Sequence, residues 1–255
     1  MTAEKITSRK NRYIAHVRCL ASDTAYREAA GEFLCDGAKM LREALLFGAK
    51  VVSVLWKGEA GDTALPDGVL QYEAPDELFD YASPMKNSPG PLFTVRIPGE
   101  DDAAKLKNAI VLENVQDPGN VGTVIRSASA FEIGAVILAG DCADLYNPKT
   151  VRATMGAIFR ERVIRKPVGE LADYLKGHDL TLYGAALSDR AEDMRTLDVS
   201  GAAVAVGNEG KGLSRELLDI CAKELIIPMS ENSESLNAAV AASVIMWEMA
   251  RGYLR

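Results

Sequence analysis

Apolar and polar positions alternate with two different rhythms along the chain. In residues 29–47 (AAGEFLCDGAKMLREALLF) the apolar positions recur at helical spacing, and VVSVLWK after Gly48 reads as a short strand, so the first part is expected to be mixed α/β. Beyond residue 108 the order is more regular. Strand AIVLENV, a turn at DPGN, helix 120–131, strand AVILAG, a helix near 148–156 and a strand around Val163 come first. Helix 170–176, strands LTLYGAAL and AAVAVG, helix 213–222, strand ELIIP and a long helix over about 235–253 follow. Near-continuous apolar strands alternating with helices predict a mainly parallel sheet covered on both faces. Ligands of such sheets sit beyond the carboxyl ends of the strands, which singles out the loops DPGN, GNEGKG and PMSENSESLN.

The stretch NSPGPLFTVRIPGEDDAAKLKN, residues 87–108, holds three prolines and an acidic patch and is the natural boundary between a domain of residues 1–98 and one of 107–255. A chain of 255 residues accommodates two domains of ordinary size. Apolar residues at 48% and charged residues at 25% fit a globular protein and exclude collagen-like, disordered and disulfide-scaffold classes. No apolar run approaches the roughly 18–20 residues that cross a bilayer, and MTAEKITSRKN has no apolar stretch to act as a secretion signal, so a cytoplasmic location without membrane partners is expected. Cys19, Cys35, Cys142 and Cys221 have no CxxC spacing and His16 and His178 stand apart, so neither disulfides nor a metal site is expected.

The formal charge of −7 lacks the overall basic signature of a nucleic-acid binder, but its distribution is uneven. Residues 1–27 carry Lys5, Arg9, Lys10, Arg12, Arg18 and Arg27 against Glu4 and Asp23, a local +4. A second cluster comprises Lys149, Arg152, Arg160, Arg162, Arg165 and Lys166. Alone, such runs read first as solvated faces.

Each of the three loops has both a plain and a chemical reading. In DPGNVGTVIRSASAFEIGA, Asn120 suits a helix cap, Val121, Val124, Ala128 and Phe131 form an apolar face, and Arg126, six positions on, either reaches back toward the strand ends or makes a surface ion pair. The turn Gly207–Gly212 (GNEGKG) joins a strand to a helix and can offer backbone N–H groups to an anion. It is not a Walker A loop, because Gly212 follows Lys211, and the chain has no G-x-G-x-x-G after a first strand. In the third segment, Ser235 or Asn237 stands near the cap of the last helix. That helix has two apolar stripes, Val240, Val244 and Trp247 against Ala238, Ala242, Ile245 and Met249, and so needs cover on two sides, from the sheet and from a second subunit.

ENVQDPGNVGTVIRSASAFEIGAV, AVAVGNEGKGLS and IIPMSENSESLNAAVAASV, in this order, resemble the three signature motifs of the SpoU/TrmH family of RNA ribose 2′-O-methyltransferases, part of the SPOUT class. NPKTVRATMGAIFR resembles the stretch between the first two motifs, and ITSRKNRYIAHVRCLASDTAYREAAGEFLCDGAKMLREAL is similar to the family's substrate-binding domain, which has a ribosomal-protein-like α/β RNA-binding fold. The resemblance implies a C-terminal SPOUT α/β domain with a trefoil knot, a homodimer formed through it, and bound S-adenosylmethionine. Cofactor contacts are implied for Gly207, Ile227 and Leu236, with Ala185, Leu187 and Met229 nearby, and Asn120, Arg126, Glu209, Ser235 and Asn237 fall on the polar active-site positions. No metal is implied. Cys35-Asp36 and Thr154 depart from the commoner residues of the family.

A guanidinium is a poor base, so Arg126 is expected to stabilise developing oxyanion at the ribose and to hold the neighbouring phosphate. Asn120 would fix Arg126 or the ribose, Glu209 would orient the catalytic side chains, and Ser235 with Asn237 would shape the third loop. The substrate implied is RNA, ribosomal in preference to transfer RNA because of the appended N-terminal domain. The rival readings are a non-catalytic RNA-binding protein of this fold and a metabolic enzyme holding a nucleotide at GNEGKG.

Overall fold

The computed structural model describes residues 3–99, 104–230, 232 and 235–254. The acidic patch at 100–102 of the expected linker, and Glu231, Ser233 and Glu234 of the third loop, lie outside the described residues. The chain forms two compact units, Met1–Gly99 with Asp144–Phe159, and Glu100–Ala143 with Arg160–Arg255.

The first unit runs β1 (Glu4–Lys5), α1 (Arg12–Ser22), α2 (Thr24–Ala30), β2 (Glu32–Asp36), α3 (Ala38–Leu46), β3 (Val51–Lys57), β4 (Leu70–Ala74), α4 (Asp76–Ala82) and β5 (Leu92–Arg96). Its sheet has the order β1-β4-β3-β5-β2, with β5 antiparallel to both of its neighbours. Two readings of the sequence need correction here. Residues 29–47 are not one helical stretch: Gly31, at φ +62°, ends α2, and EFLCD is a strand before Gly37 and α3. Likewise LFTVR, read as part of the linker, is β5, an interior strand. Both were disguised for the same reason. Their sheet is buried on both faces, so Leu34 and Leu92 pack with Ile14, Val17 and Leu20 on one side while Phe33, Cys35, Phe93 and Val95 pack with Val54 and Trp56 on the other. A strand covered twice has no polar alternation to announce it.

The rest of the chain supplies β6 (Ala109–Glu113), α5 (Pro118–Ala130), β7 (Val136–Ala139), α6 (Pro148–Ala153), β8 (Val163–Lys166) and α7 (Val168–Gly177). It continues with β9 (Thr181–Ala185), β10 (Glu192–Asp193), β11 (Ala202–Val206), α8 (Arg215–Ile220), β12 (Lys223–Ile226) and α9 (Ala238–Ala250). The second unit's sheet has the order β10-β12-β9-β11-β6-β7-β8, and every pairing is parallel. From β6 the chain steps outward through β7 to β8, then returns on the other side through β9, with β11 slotting in beside β6. The carboxyl ends of β6 and β11 are therefore the topological switch point, where α/β sheets open a crevice.

The segment 144–159, expected within the second domain, belongs to the first unit. Val151 sits in the core beside Phe33, Met40 and Trp56, with Tyr146, Ile158 and Phe159 packed against it. Arg27 is drawn into the same attachment: it is 2% exposed, donates to the Leu20 carbonyl at 2.6 Å and pairs with Asp144 at 2.5 Å. It is thus a buried structural cation rather than part of a basic surface. The two departures from the family pattern are also absorbed locally, since Asp36 accepts the Ser88 hydroxyl at 2.6 Å and Thr154 donates to the Val151 carbonyl at 2.6 Å.

Among the described residues no helix is long and apolar enough to cross a membrane, and no group of three or more His, Cys, Asp or Glu is placed to hold a metal ion.

Glu161, in the second unit, has a buried Oε1 without a hydrogen-bond partner among the described residues. Burial pushes its carboxyl up from 4.5 to about 8, against the opposing pull of Arg160 and Lys107. The folded state therefore keeps a proton that the unfolded chain releases, and stability present below pH 4.5 is lost as pH rises through the window to about 8. Chemical denaturation across this window should show that decline, and Glu161→Gln should flatten it. An unchanged slope in the variant would contradict the assignment.

Candidate active site

At the carboxyl edge of the parallel sheet lies a crevice of about 490 Å³, walled by the ends of β9, β11 and β12 and by the start of α9. Gly207, Ile227, Leu236, Ala185, Leu187 and Met229 all line it, as do Glu209 and Ser235.

The loop after β11 makes the floor. A Cβ at Gly207 would stand 2.3 Å from the Gly212 carbonyl carbon, 2.4 Å from its oxygen and 2.5 Å from the Leu213 nitrogen, so only glycine lets the loop return against its own strand. Asn208 holds the loop closed: its Oδ1 accepts from the N–H groups of Gly210 at 2.9 Å and Lys211 at 3.2 Å, its carbonyl accepts from Gly212 at 2.8 Å, and its Nδ2 donates to the Asn114 carbonyl at 3.1 Å. This corrects the expectation of an anion cradle. The N–H groups of Gly210, Lys211 and Gly212, which a phosphate would need, are consumed inside the loop.

The helix that follows tells the same story. Its cap, Ser214, gives its N–H to Glu113 Oε2 at 2.7 Å and its hydroxyl to Glu113 Oε1 at 2.5 Å, while its Oγ accepts from Leu217 at 3.1 Å. Glu113 is 1% exposed at the end of β6, so a carboxylate of the protein already occupies the N-terminal end of α8. Sequence reasoning passed over Glu113, although an acid closing the otherwise apolar strand AIVLE was a visible signal.

Asn120 is not the cap of α5. Asp117 takes that role, its Oδ1 accepting the Asn120 N–H at 2.8 Å. The carboxamide of Asn120 is thereby released to bridge two other loops, donating through Nδ2 to Glu209 Oε1 and accepting at Oδ1 from Asn237 Nδ2 at 3.1 Å. Asn237 in turn caps α9 through Oδ1, which accepts from Ala239 at 3.0 Å and Val240 at 3.3 Å. Three separated turns thus meet through one chain of side-chain hydrogen bonds.

Two further features were not anticipated. Glu224, buried in the crevice wall, accepts from the Ser188 hydroxyl and pairs with Arg190 at 2.5 Å. Behind β9, burial and the nearby carboxylates of Glu224 and Glu113 push the Cys221 thiol up to about 12, which keeps it a packing residue.

Arg126 stands apart from this assembly. It is exposed on α5, about 9 Å along the helix axis from Asn120, lines no part of the crevice and pairs with no acid among the described residues. Its helix packs against α9, with Ser127 and Ser243 hydroxyls 2.9 Å apart and the rings of Phe131 and Trp247 at 5.8 Å. On α9 the two stripes have separate fates: Ala238, Ala242, Ile245 and Met249 are buried, while Val240, Val244 and Trp247 are 48%, 37% and 51% exposed. The exposed stripe, with Asn120, Thr123 and Asn237, lines a shallow groove between the two helices.

The model of the SpoU rRNA Methylase family matches residues 107–247. The chain is 31% identical, over 96% of its own length and 99% of the relative's, to the 23S rRNA (guanosine(2553)-2′-O)-methyltransferase RlmP of Bacillus subtilis. It is 30% identical, over 98% of its length and 92% of the relative's, to the 23S rRNA (uridine(2479)-2′-O)-methyltransferase of Streptomyces viridochromogenes. Among solved structures, the AdoMet-bound rRNA methyltransferase from Sinorhizobium meliloti superposes with a TM-score of 0.88 at 25% identity, covering 99% of both chains.

The close passage at Gly207 gives a direct test. Gly207→Ala forces the backbone of Gly212 and Leu213 to retreat and is expected to cost about 1–3 kcal/mol of stability by chemical denaturation, as overpacking does. Wild-type stability in that variant would contradict the packing described.

Proposed function

The chain belongs to the SpoU rRNA methylase family, and on that premise we propose that it transfers a methyl group from S-adenosylmethionine to a ribose 2′-hydroxyl of ribosomal RNA. The observation that carries the reading is that Asn120, Glu209 and Asn237 tie three loops together at the carboxyl edge of the sheet, beside a crevice whose walls hold all six positions implied for the cofactor. The residues present fit the group. The crevice falls in the range of small-molecule sites, Leu187, Ile227, Met229 and Leu236 offer apolar walls, and Gly207 lets the loop fold back on itself to form the floor. S-adenosylmethionine, when bound, supplies a methyl group already activated on a sulfonium, so the protein's task is orientation and the handling of one proton.

Asn120, Glu209 and Asn237 set the mouth of the crevice through their hydrogen-bond chain, and Ser235 shapes the third loop beside Leu236. Arg126 places its guanidinium at the ribose, stabilises the developing oxyanion and holds the adjoining phosphate. Because Arg126 lies outside the crevice of its own chain, this role requires a second copy. The exposed stripe Val240, Val244 and Trp247 is the surface for it, and an isologous dimer across α5 and α9 carries each Arg126 toward the other copy's crevice. The family's trefoil knot around the crevice loops, and work in the cytoplasm on ribosomal RNA, belong to the same reading.

RNA binding falls to the first unit, through Lys5, Arg9, Lys10, Arg12 and Arg18. Arg9 and Arg18 lie 4.5 and 4.0 Å from the ring of Tyr81, which holds both guanidinium groups in place. The two rRNA relatives are named for a guanosine and a uridine, which favours a shared site that reads the ribose rather than one base. The rival nucleotide-binding enzyme is disfavoured by Asn208 and Glu113, which occupy the donors a phosphate would use.

Two measurements test the reading. Arg126→Ala should abolish transfer of radiolabelled methyl to ribosomal RNA while calorimetric affinity for S-adenosylmethionine is retained; turnover in that variant would remove the assigned role. Light scattering at micromolar concentration should give a dimer, and Val244→Asp should give an inactive monomer. A monomeric, active wild type would contradict the shared site.

A further inference from the structure

The first unit contains a cavity of its own, of about 600 Å³, formed between the end of α3, the exit of β5 and the segment 144–159. Three rings make its wall: Phe33, buried at the back, lies 4.8 Å from Tyr146 and 6.4 Å from Phe159, the latter pair nearly parallel at 27°. Phe47 also lines it and is 43% exposed, presented by the turn at Gly48, where φ is +70°. Lys50 and Arg96, both exposed, are its only charged lining residues among those described. Lys50 has no ion-pair partner among the described residues. Arg96 gives one edge to the Ala30 carbonyl and to Glu32, each at 3.2 Å, which leaves further N–H groups of its fork for a ligand.

Aromatic faces beside an exposed lysine and an arginine with N–H groups to spare, in a chain whose total charge is −7, match one chemistry closely. Unpaired bases stack on rings of this kind, and the phosphate joined to them meets lysine or arginine. A core cavity would be closed and uncharged, and the surface of a stable protein partner would be flatter and rimmed by both signs of charge.

We propose that this cavity receives an unpaired nucleobase of the RNA substrate, stacked against Phe47 and Tyr146, with its phosphate on Lys50 and Arg96. The inference rests on the reading of the protein as an RNA-modifying enzyme and adds a second anchoring point for the strand, held by residues distant in sequence from the crevice motifs.

The test uses the full chain and a fluorescein-labelled single-stranded decaribonucleotide containing 2-aminopurine, whose emission reports stacking. Phe47→Ala and Lys50→Glu should each weaken binding about tenfold to hundredfold, and Phe47→Ala should also abolish the change in 2-aminopurine emission. Phe47→Trp should retain both, and all three variants should keep the wild-type melting temperature and affinity for S-adenosylmethionine. Oligonucleotide affinity unchanged in Phe47→Ala and Lys50→Glu would overturn the proposal, as would binding of free nucleoside monophosphates as tight as that of the strand. The two readings fail separately. Wild-type methyl transfer with an unaltered KM for ribosomal RNA in both variants removes the cavity's role and leaves the enzyme, whereas Phe47-dependent strand binding without any methyl transfer removes the enzyme and leaves the cavity.

Discussion

Gly207 has no room for a side chain because the backbone of Gly212 and Leu213 returns against it, and the crevice takes its shape from that passage. The return is sealed by Asn208, whose carboxamide satisfies the loop's own donors and reaches across to the Asn114 carbonyl. Next to it the buried carboxylate of Glu113 fixes the cap of α8. A strand-to-helix turn that elsewhere would be open to phosphate is here closed upon itself, so its function shifts from anion binding to presenting a wall. Ala185, Leu187, Ile227, Met229 and Leu236 complete that wall from the neighbouring strand ends.

Above this floor the polar residues are organised by caps. Asp117 takes the end of α5 and Asn237 the end of α9, each side chain satisfying backbone donors that the helix cannot. Because Asp117 does this work, Asn120 is free to join Glu209 to Asn237. Helix capping and site construction are therefore one hydrogen-bond system, and a change at Asn237 would disturb both.

Much of this was legible in the sequence. The second unit's strands are apolar throughout and separated by helices, which announced the parallel sheet and with it the edge where a site must lie. The six positions that the motifs implied for a cofactor line one crevice, because they sit on loops whose geometry the motif spells out. What was not legible depends on contacts between distant segments. Nothing in 144–159 states that Val151 and Phe159 pack with Phe33, and nothing around Arg27 states that Asp144 will bury it. β2 and β5 were hidden because burial on both faces erases their alternation. Asn120 was misread as a cap since Asp117, three residues earlier, competes for the same role and wins. The exposed place of Arg126 could not be foreseen from a spacing that only counts residues along a helix.

The first unit brings aromatic and basic side chains together from segments more than 90 residues apart, while the second gathers polar side chains around an apolar crevice. The account is tested most directly by mapping 2′-O-methylated nucleotides in ribosomal and transfer RNA from cells with and without this protein. It predicts that deletion removes ribose methylation at a defined position of ribosomal RNA and leaves transfer RNA and base methylation as they were. An identical ribose-methylation map of ribosomal RNA in both strains would contradict it.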